Sequence, residues 1–310
     1  MINKENNFIS AVVYVRDDQP LILKFITNLY EVLDDNFDKY EMIIVNDKCR
    51  DDSVKILKTF AKKNNISAVS IINLSDCQGP EVALKAGIDL AIGDFVLEFD
   101  SVLFDYKRNM IMDLYHHSLE GFDIVSARPN HGGIYQSKIF YWLFNRFSQS
   151  SYAISTERFR VVSRRAINRI NSLSKTITYR KAAYANSGLS IDHLKYNPLL
   201  GRVPVKDDIK KTNKKVAINS LITLTDIAYR VSITLTIALL LLTTISGIYT
   251  VIVYLNGSKP VEGWTTMMLL LSGGFSGIFM VSAITIKYLS IIIDLILKKQ
   301  DYLVESIEKI

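Results

Sequence analysis

The stretch GPEVALKAGIDLAIGDFVLEFDS, Gly79 to Ser101, decides how the first half of the chain is read. PEVALKAGIDLAIG reads as a helix, with Gly93 as its expected C-cap. DFVLEFD follows as a buried strand that ends in Asp100. A helix feeding directly into an apolar strand is one half of a βαβ unit, and the flanking sequence repeats it. ISAVVYV (Ile9–Val15), YEMIIVND (to Asp47) and AVSIINL read as strands. QPLILKFITNLYEVLDD and DSVKILKTFAKKNN read as helices, the second capped by Asp51 or Asp52. The alternation predicts an α/β fold: a Rossmann-like, mostly parallel sheet with helices on both faces. In such sheets ligands gather at the C-terminal ends of the strands, where Asp47 and Asp100 both fall. No glycine-rich phosphate loop follows the first strand, which excludes a dinucleotide fingerprint or a Walker loop.

Carboxylates at strand ends suit a divalent ion bridging a diphosphate, because Mg²⁺ is held by one or two carboxylates plus phosphate oxygens. Glu98 lies two residues before Asp100 and shares its face of the strand. Arg128, Arg160 and Arg164 are candidate phosphate contacts, since guanidinium pairs with phosphate in a bidentate manner. Glu157 is a candidate base or acceptor-site carboxylate.

The chain has 310 residues, a net charge of +6 and two cysteines, Cys49 and Cys77, without metal-knuckle spacing. The N-terminus carries no apolar signal segment. Val231–Leu255 and Gly263–Ile286 hold no charged residue, and each is long enough to cross a hydrocarbon core of about 30 Å. Lysines and arginines flank the pair on both outer sides, at Arg202–Lys215 and at Lys287, Lys298 and Lys299. Only Lys259 lies between them. The positive-inside rule then predicts an integral membrane protein of two spans with both termini cytoplasmic, in a bacterial inner membrane. Val216–Arg230 is expected at the interface. The Gly273/Gly277 pair would let helices approach closely, as in a homo-oligomer. The expected domains are 1–205, a cytosolic domain; 206–230, a basic juxtamembrane segment; and 231–310, a two-helix anchor with a cytosolic tail. The basic run KKTNKK is short and lacks interleaved aromatics, so nucleic acid is not an expected partner.

Taken in order, these segments resemble the family-2 glycosyltransferases of GT-A fold, among them the polyprenyl-phosphate glycosyltransferases related to dolichol-phosphate mannose synthase. MIIVNDKCRDDS is similar to the family's V-D-D-G-S-x-D segment, which implies that Asn46, Asp47 and Asp51 hold the nucleotide. GPEVALKAGIDLAIGDFVLEFDS is similar to the block leading to the family's D-x-D. ERFRVVSRRAINRI resembles its G-D-F-R-L-x-x-R segment, and KYLSIIIDLILKKQDYLV its C-terminal motif. The resemblance implies a nucleotide-sugar donor, a polyprenyl phosphate acceptor and a Mg²⁺ or Mn²⁺ ion at Asp100 and Asp105. The chain departs from the pattern at the second Asp of D-x-D, which is Val102, and at the Asp of G-D-F-R, which is Arg158. Valine cannot ligate a cation. The sequence therefore leaves open a weakened metal site, a metal-independent transferase, or a catalytically weak relative that binds nucleotide or a partner enzyme.

Overall fold

In the computed structural model, residues 4–66, 68–130, most of 141–199, scattered positions between 230 and 248, 263–297 and 302–310 are described. Strands β1 (Ile9–Val15), β2 (Tyr40–Asn46), β3 (Val69–Leu74) and β4 (Phe95–Phe99) alternate with helices α1 (Gln19–Asn36), α2 (Ser53–Lys63) and α3 (Pro80–Leu90). Helix α4 (Met110–Leu119), β5 (Ile124–Pro129), β6 (Phe159–Ser163), α5 (Arg164–Leu173), α6 (Arg180–Ala185) and β7 (Ile191–Tyr196) follow. Helix α7 (Gly263–Leu297) and β8 (Val304–Lys309) close the chain. Among the described residues the sheet has eight strands in the order β7-β5-β6-β4-β1-β2-β3-β8. The pairs β1·β2, β1·β4, β2·β3 and β5·β7 are parallel. Only β6 and β8 run against the rest. The predicted α/β sheet is thus observed.

Burial explains the strand sequences. Every residue of β1 is buried, so both faces of this central strand are covered and its sequence is apolar but for Ser10, whose hydroxyl donates to Glu41. Two cores result. One packs α1, α2 and α4 on one face through Phe25, Leu29, Leu57, Ile111 and Leu114. The other packs α3 and α5 on the opposite face through Leu84, Ile88, Ile167 and Ile170. Helix α3 lies tight on the sheet at Gly87, where a Cβ would run into the side chains of Val12 and Val45.

The role expected of Gly93 is corrected. Helix α3 ends at Leu90 with Ala91 as its cap, in extended backbone. Gly93 is needed for a different reason: a Cβ there would sit 2.7 Å from both the Phe8 carbonyl oxygen and the Ser10 nitrogen.

The C-terminus differs from expectation more deeply. Residues 299–310 belong with 1–218 in one compact unit, and residues 219–298 form a second. The last strand, β8, adds antiparallel to the free edge of β3. Within the second unit, Gly277 lies against Leu239, while among the described residues nothing lies within 4 Å of where a Gly273 Cβ would be. Among the described residues, no helix is long and apolar enough to cross a membrane. The basic segment 206–229 and most of the first uncharged stretch lie outside the described residues.

Candidate active site

Strands β1, β2, β3, β4, β5 and β7 run in one direction, so their C-terminal ends share one edge of the sheet. The antiparallel β6 and β8 bring their N-terminal ends to the same edge, with Phe159 opposite Phe99 and Val304 opposite Leu74. Asn46, Asp47, Asp100, Arg128, Glu157 and Arg160 all gather at this edge.

The loops after β1 and β2 are interlaced. Asp47 is fully buried. Its carboxylate accepts the Tyr14 hydroxyl at 2.9 Å and the backbone N–H groups of Gln78 and Gly79 at 2.7 and 3.0 Å. It therefore ties the end of β2 to the start of α3. Asn46 accepts from Cys49 N at 2.9 Å and donates to Asn73 at 2.9 Å. Asp51 accepts from Gln19 N and from Ser53 N, while the N-cap of α2 is Asp52, whose side chain makes no capping hydrogen bond. Arg16 donates to the carbonyls of Asp47 and Lys48. Two non-glycine residues of these loops, Asp17 (φ 50°) and Lys48 (φ 59°), stand in the left-handed region. Such strain persists where the surroundings impose it, commonly at ligand sites.

The second half of the site is a buried lattice of charges. Glu98 and Arg160 are directly opposed across β4 and β6 and are both fully buried. Arg160 donates to Glu98 at 2.8 Å and to Asp100 at 3.1 Å, and its Nε lies 3.3 Å from Glu157. Arg180, at the start of α6, reaches Glu81, Glu98 and Asp100 at 3.2–3.3 Å. Lys181 lies 3.4 Å from Asp100, and Tyr184 donates to Glu98. Burial disfavours the Asp100 carboxylate, but Arg160, Lys181 and Arg180 outweigh it and hold its pKa below the usual range.

The residues expected from sequence divide as follows. Asn46, Asp47 and Asp51 share one loop region, and Asp100, Glu157 and Arg160 share the charge lattice. Arg128 stands half-buried near the end of β5. Asp105 is buried and occupied elsewhere: Arg158 holds it in a bidentate pair at 3.1 and 2.7 Å, and Tyr196 donates to it at 2.9 Å. Arg164 lies at the opposite edge of the sheet, bound to the carbonyls of Ala91 and Gly93. Sequence reasoning missed Arg180 and Lys181. Their only signal is a basic pair opening a short alanine-rich helix, about 80 residues from Asp100, and no spacing rule links the two.

A family model, glycosyl transferase family 2, matches residues 10–170, which include the loop carrying Asp47, the strand carrying Asp100 and the Arg160 strand. The chain belongs to glycosyl transferase family 2. It is 31% identical over 183 residues to an uncharacterized glycosyltransferase of Synechocystis sp., covering 57% of each chain. It is 26% identical over 129 residues to an undecaprenyl-phosphate 4-deoxy-4-formamido-L-arabinose transferase of Shewanella sediminis, covering 42% of this chain and 38% of that one. The chain thus aligns with about half, or less, of the length of these curated relatives. Among solved structures, glucosyl-3-phosphoglycerate synthase of Mycobacterium tuberculosis superposes with a TM-score of 0.53 at 16% identity, over 71% of this chain and 80% of that one. Such distant likeness establishes the GT-A fold. The same synthase has been solved in complex with Mn²⁺ and UDP.

The residues of this chain do not fit a divalent ion at the strand end. Val102, where the second ligand of D-x-D would stand, is 2% exposed and packed in the apolar core. Asp105 is committed to Arg158 and Tyr196, and both Asp100 oxygens accept from cations of the chain. Among the described residues, one group of possible ligands, Asp17, Cys49 and Asp51, lies within 4.8 Å of one another. Burial pushes the Cys49 thiol up to about 12. The Asp51 oxygens already accept backbone N–H groups.

Proposed function

We propose that this glycosyltransferase moves a sugar from a nucleoside-diphosphate donor to a polyprenyl phosphate at a membrane surface. The observation that carries the reading is the convergence, at one sheet edge, of the Asn46–Asp51 loop with the Asp100 charge lattice. The loop offers polar groups for base and ribose. The lattice offers cations where a diphosphate would lie, with Arg128 beside it. Nucleotide sugars accompany the fold in solved relatives, one of them a mannosyltransferase of Pyrobaculum calidifontis in complex with GDP-Man.

The acceptor follows from three supports. Two curated relatives are named as undecaprenyl-phosphate transferases. Two long uncharged stretches are bracketed by lysine and arginine. Helix α7 exposes Met267, Leu271, Phe275, Ile278, Phe279 and Met280, an apolar surface that water would not favour. The chain leaves its first unit after residue 218 and re-enters it at 299, so an anchor within the insert crosses an even number of times. Two spans with both termini cytoplasmic satisfy this.

The chemistry balances without a strong base. A phosphate oxygen of the lipid attacks the anomeric carbon, the bond from that carbon to the diphosphate oxygen breaks, and its electron pair leaves with the nucleoside diphosphate. The attacking oxygen is already ionised, so no proton has to be removed. Glu157 then serves to orient Arg160 rather than to accept a proton. The replacement of a D-x-D ligand by Val102 favours a second reading, a relative that binds nucleotide without turning it over. Incubation of the detergent-purified protein with UDP-, GDP- and dTDP-sugars and undecaprenyl phosphate separates the two. The transferase reading requires a sugar-bearing lipid from at least one donor. Nucleotide binding with no lipid product from any donor supports the second reading.

A further inference from the structure

Asp100 is surrounded by three cations of the chain, and they are not equally committed. Arg160 is shared among Glu98, Asp100 and Glu157. Arg180 is shared among Glu81, Glu98 and Asp100. Among the described residues, Lys181 is in an ion pair with Asp100 alone. An ammonium group has three donors, so one bond to Asp100 leaves two for another acceptor. Lys181 is also near the mouth of the lattice, with a tenth of its side chain exposed and a fifth of Asp100 exposed beside it, while the two arginines are closed off.

A dication placed on Asp100 would sit against three positive charges within a few ångströms and would have to displace at least one of them. A diphosphate meets the opposite situation. It approaches a lysine whose ion-pair partner, among the described residues, is a neighbouring carboxylate, itself held back by two arginines.

We propose that Lys181 binds the donor diphosphate directly, with Arg160 and Arg180 holding Asp100 as its orienting partner, so that donor binding in this enzyme needs no divalent metal. The inference rests on the donor reading given above and adds to it a ligand and a metal requirement. Lys181 supplies at the phosphate the positive charge that a bound ion would otherwise bring. Its charge is fixed in place by Asp100 before the donor arrives, which lowers the cost of ordering it.

The test is calorimetric titration of the purified protein with UDP, with GDP and with dTDP, once in EDTA and once in excess Mn²⁺. The expected result is binding of at least one nucleotide with affinities that agree within about twofold between the two conditions, a difference under half a kcal/mol. Lys181→Gln is expected to weaken that binding by about tenfold, and Lys181→Arg, which keeps the charge, to restore most of it. Binding that appears only with Mn²⁺, or tightens with it by about tenfold, overturns the metal-free inference and leaves the donor reading intact. Unchanged affinity in a folded Lys181→Gln protein overturns the role of Lys181. Failure of all three nucleotides under both conditions overturns the donor reading itself. Should Lys181→Gln fail to fold, the comparison of EDTA with Mn²⁺ on the unaltered protein still decides the metal question.

Discussion

The Gln78 side chain clamps Leu303 on both sides of its backbone: its amide nitrogen donates to the Leu303 carbonyl at 2.7 Å and its amide oxygen accepts the Leu303 N–H at 2.9 Å. The backbone N–H of the same Gln78 donates to Asp47. A second link runs in parallel, since Asn73 accepts from Asn46 and donates to Glu308, which in turn pairs with Lys58. The last strand of the chain is therefore wired to both residues that open the expected nucleotide loop.

Removal of residues 303–310 should loosen that loop. It exposes the edge of β3 and frees Gln78. We expect nucleotide affinity to fall several-fold, with faster amide exchange at Gln78 and Gly79. Gln78→Ala should show a milder form of the same change, with about 1 kcal/mol lost from stability, since two hydrogen bonds at a partly exposed site are removed. Isothermal titration and hydrogen exchange on the two variants check this. Unaltered affinity in both would limit β8 to covering an edge.

The charge lattice should be costly to break. Glu98 accepts from Arg160, Arg180 and Tyr184 with no exposure to solvent. Glu98→Ala leaves two buried guanidinium groups without this counter-charge, and a loss of about 3–5 kcal/mol is expected. Glu98→Gln keeps the shape and should lose less. Urea denaturation followed by circular dichroism measures both. Because Asp100 is held below the usual carboxylate range, its contribution is present above its unfolded pKa of about 3.9 and is lost only as pH falls below that. The Asp100 contribution should thus be insensitive to pH near neutrality.

His117 gives the opposite dependence. It bridges Glu120 at 2.9 Å and Asp192 at 2.8 Å, joining α4 to β7. Its hydrogen bond to the Asp192 carboxylate raises its pKa above the ordinary value. A raised histidine contributes stability that is complete below its unfolded pKa of about 6.5 and is lost as pH rises through its folded pKa. Thermal unfolding should show a small decline above neutral pH, within about 1 kcal/mol because solvent screens the pair. His117→Gln should abolish the decline.

Gly87 makes the packing argument testable. Any side chain there meets Val12 and Val45 on the sheet. Gly87→Val should cost about 1–3 kcal/mol through overpacking, read as a lower denaturation midpoint.

The first half of the fold was legible because β1 to β4 and α1 to α3 carry strong periodic signals, and a parallel sheet fixes where their C-terminal ends lie. Asp47 and Asp100 were found on that ground alone. The charge lattice was not, because it joins Asp100 to Arg180 and Lys181 through tertiary contact with no local pattern. Asp105 and Arg164 misled for a related reason: their residue types suit phosphate or metal, yet Tyr196, Arg158 and the Gly93 carbonyl already use them. The final strand, VESIEK, escaped notice because an edge strand with charged side chains has weak apolar alternation. Val102 was read as a lost ligand. The fold adds that it is a core residue, so its apolar character also has a packing role.

The central claim is sugar transfer to a polyprenyl phosphate, and mass spectrometry of the lipid extract tests it most directly. The purified protein would be incubated with undecaprenyl phosphate and each of a panel of UDP-, GDP- and dTDP-sugars. The account predicts an undecaprenyl phosphate heavier by one sugar residue with one donor class, formed in step with free nucleoside diphosphate and absent without enzyme. Folded, nucleotide-binding protein that yields no such lipid from any donor, while a related transferase run alongside does, would contradict it.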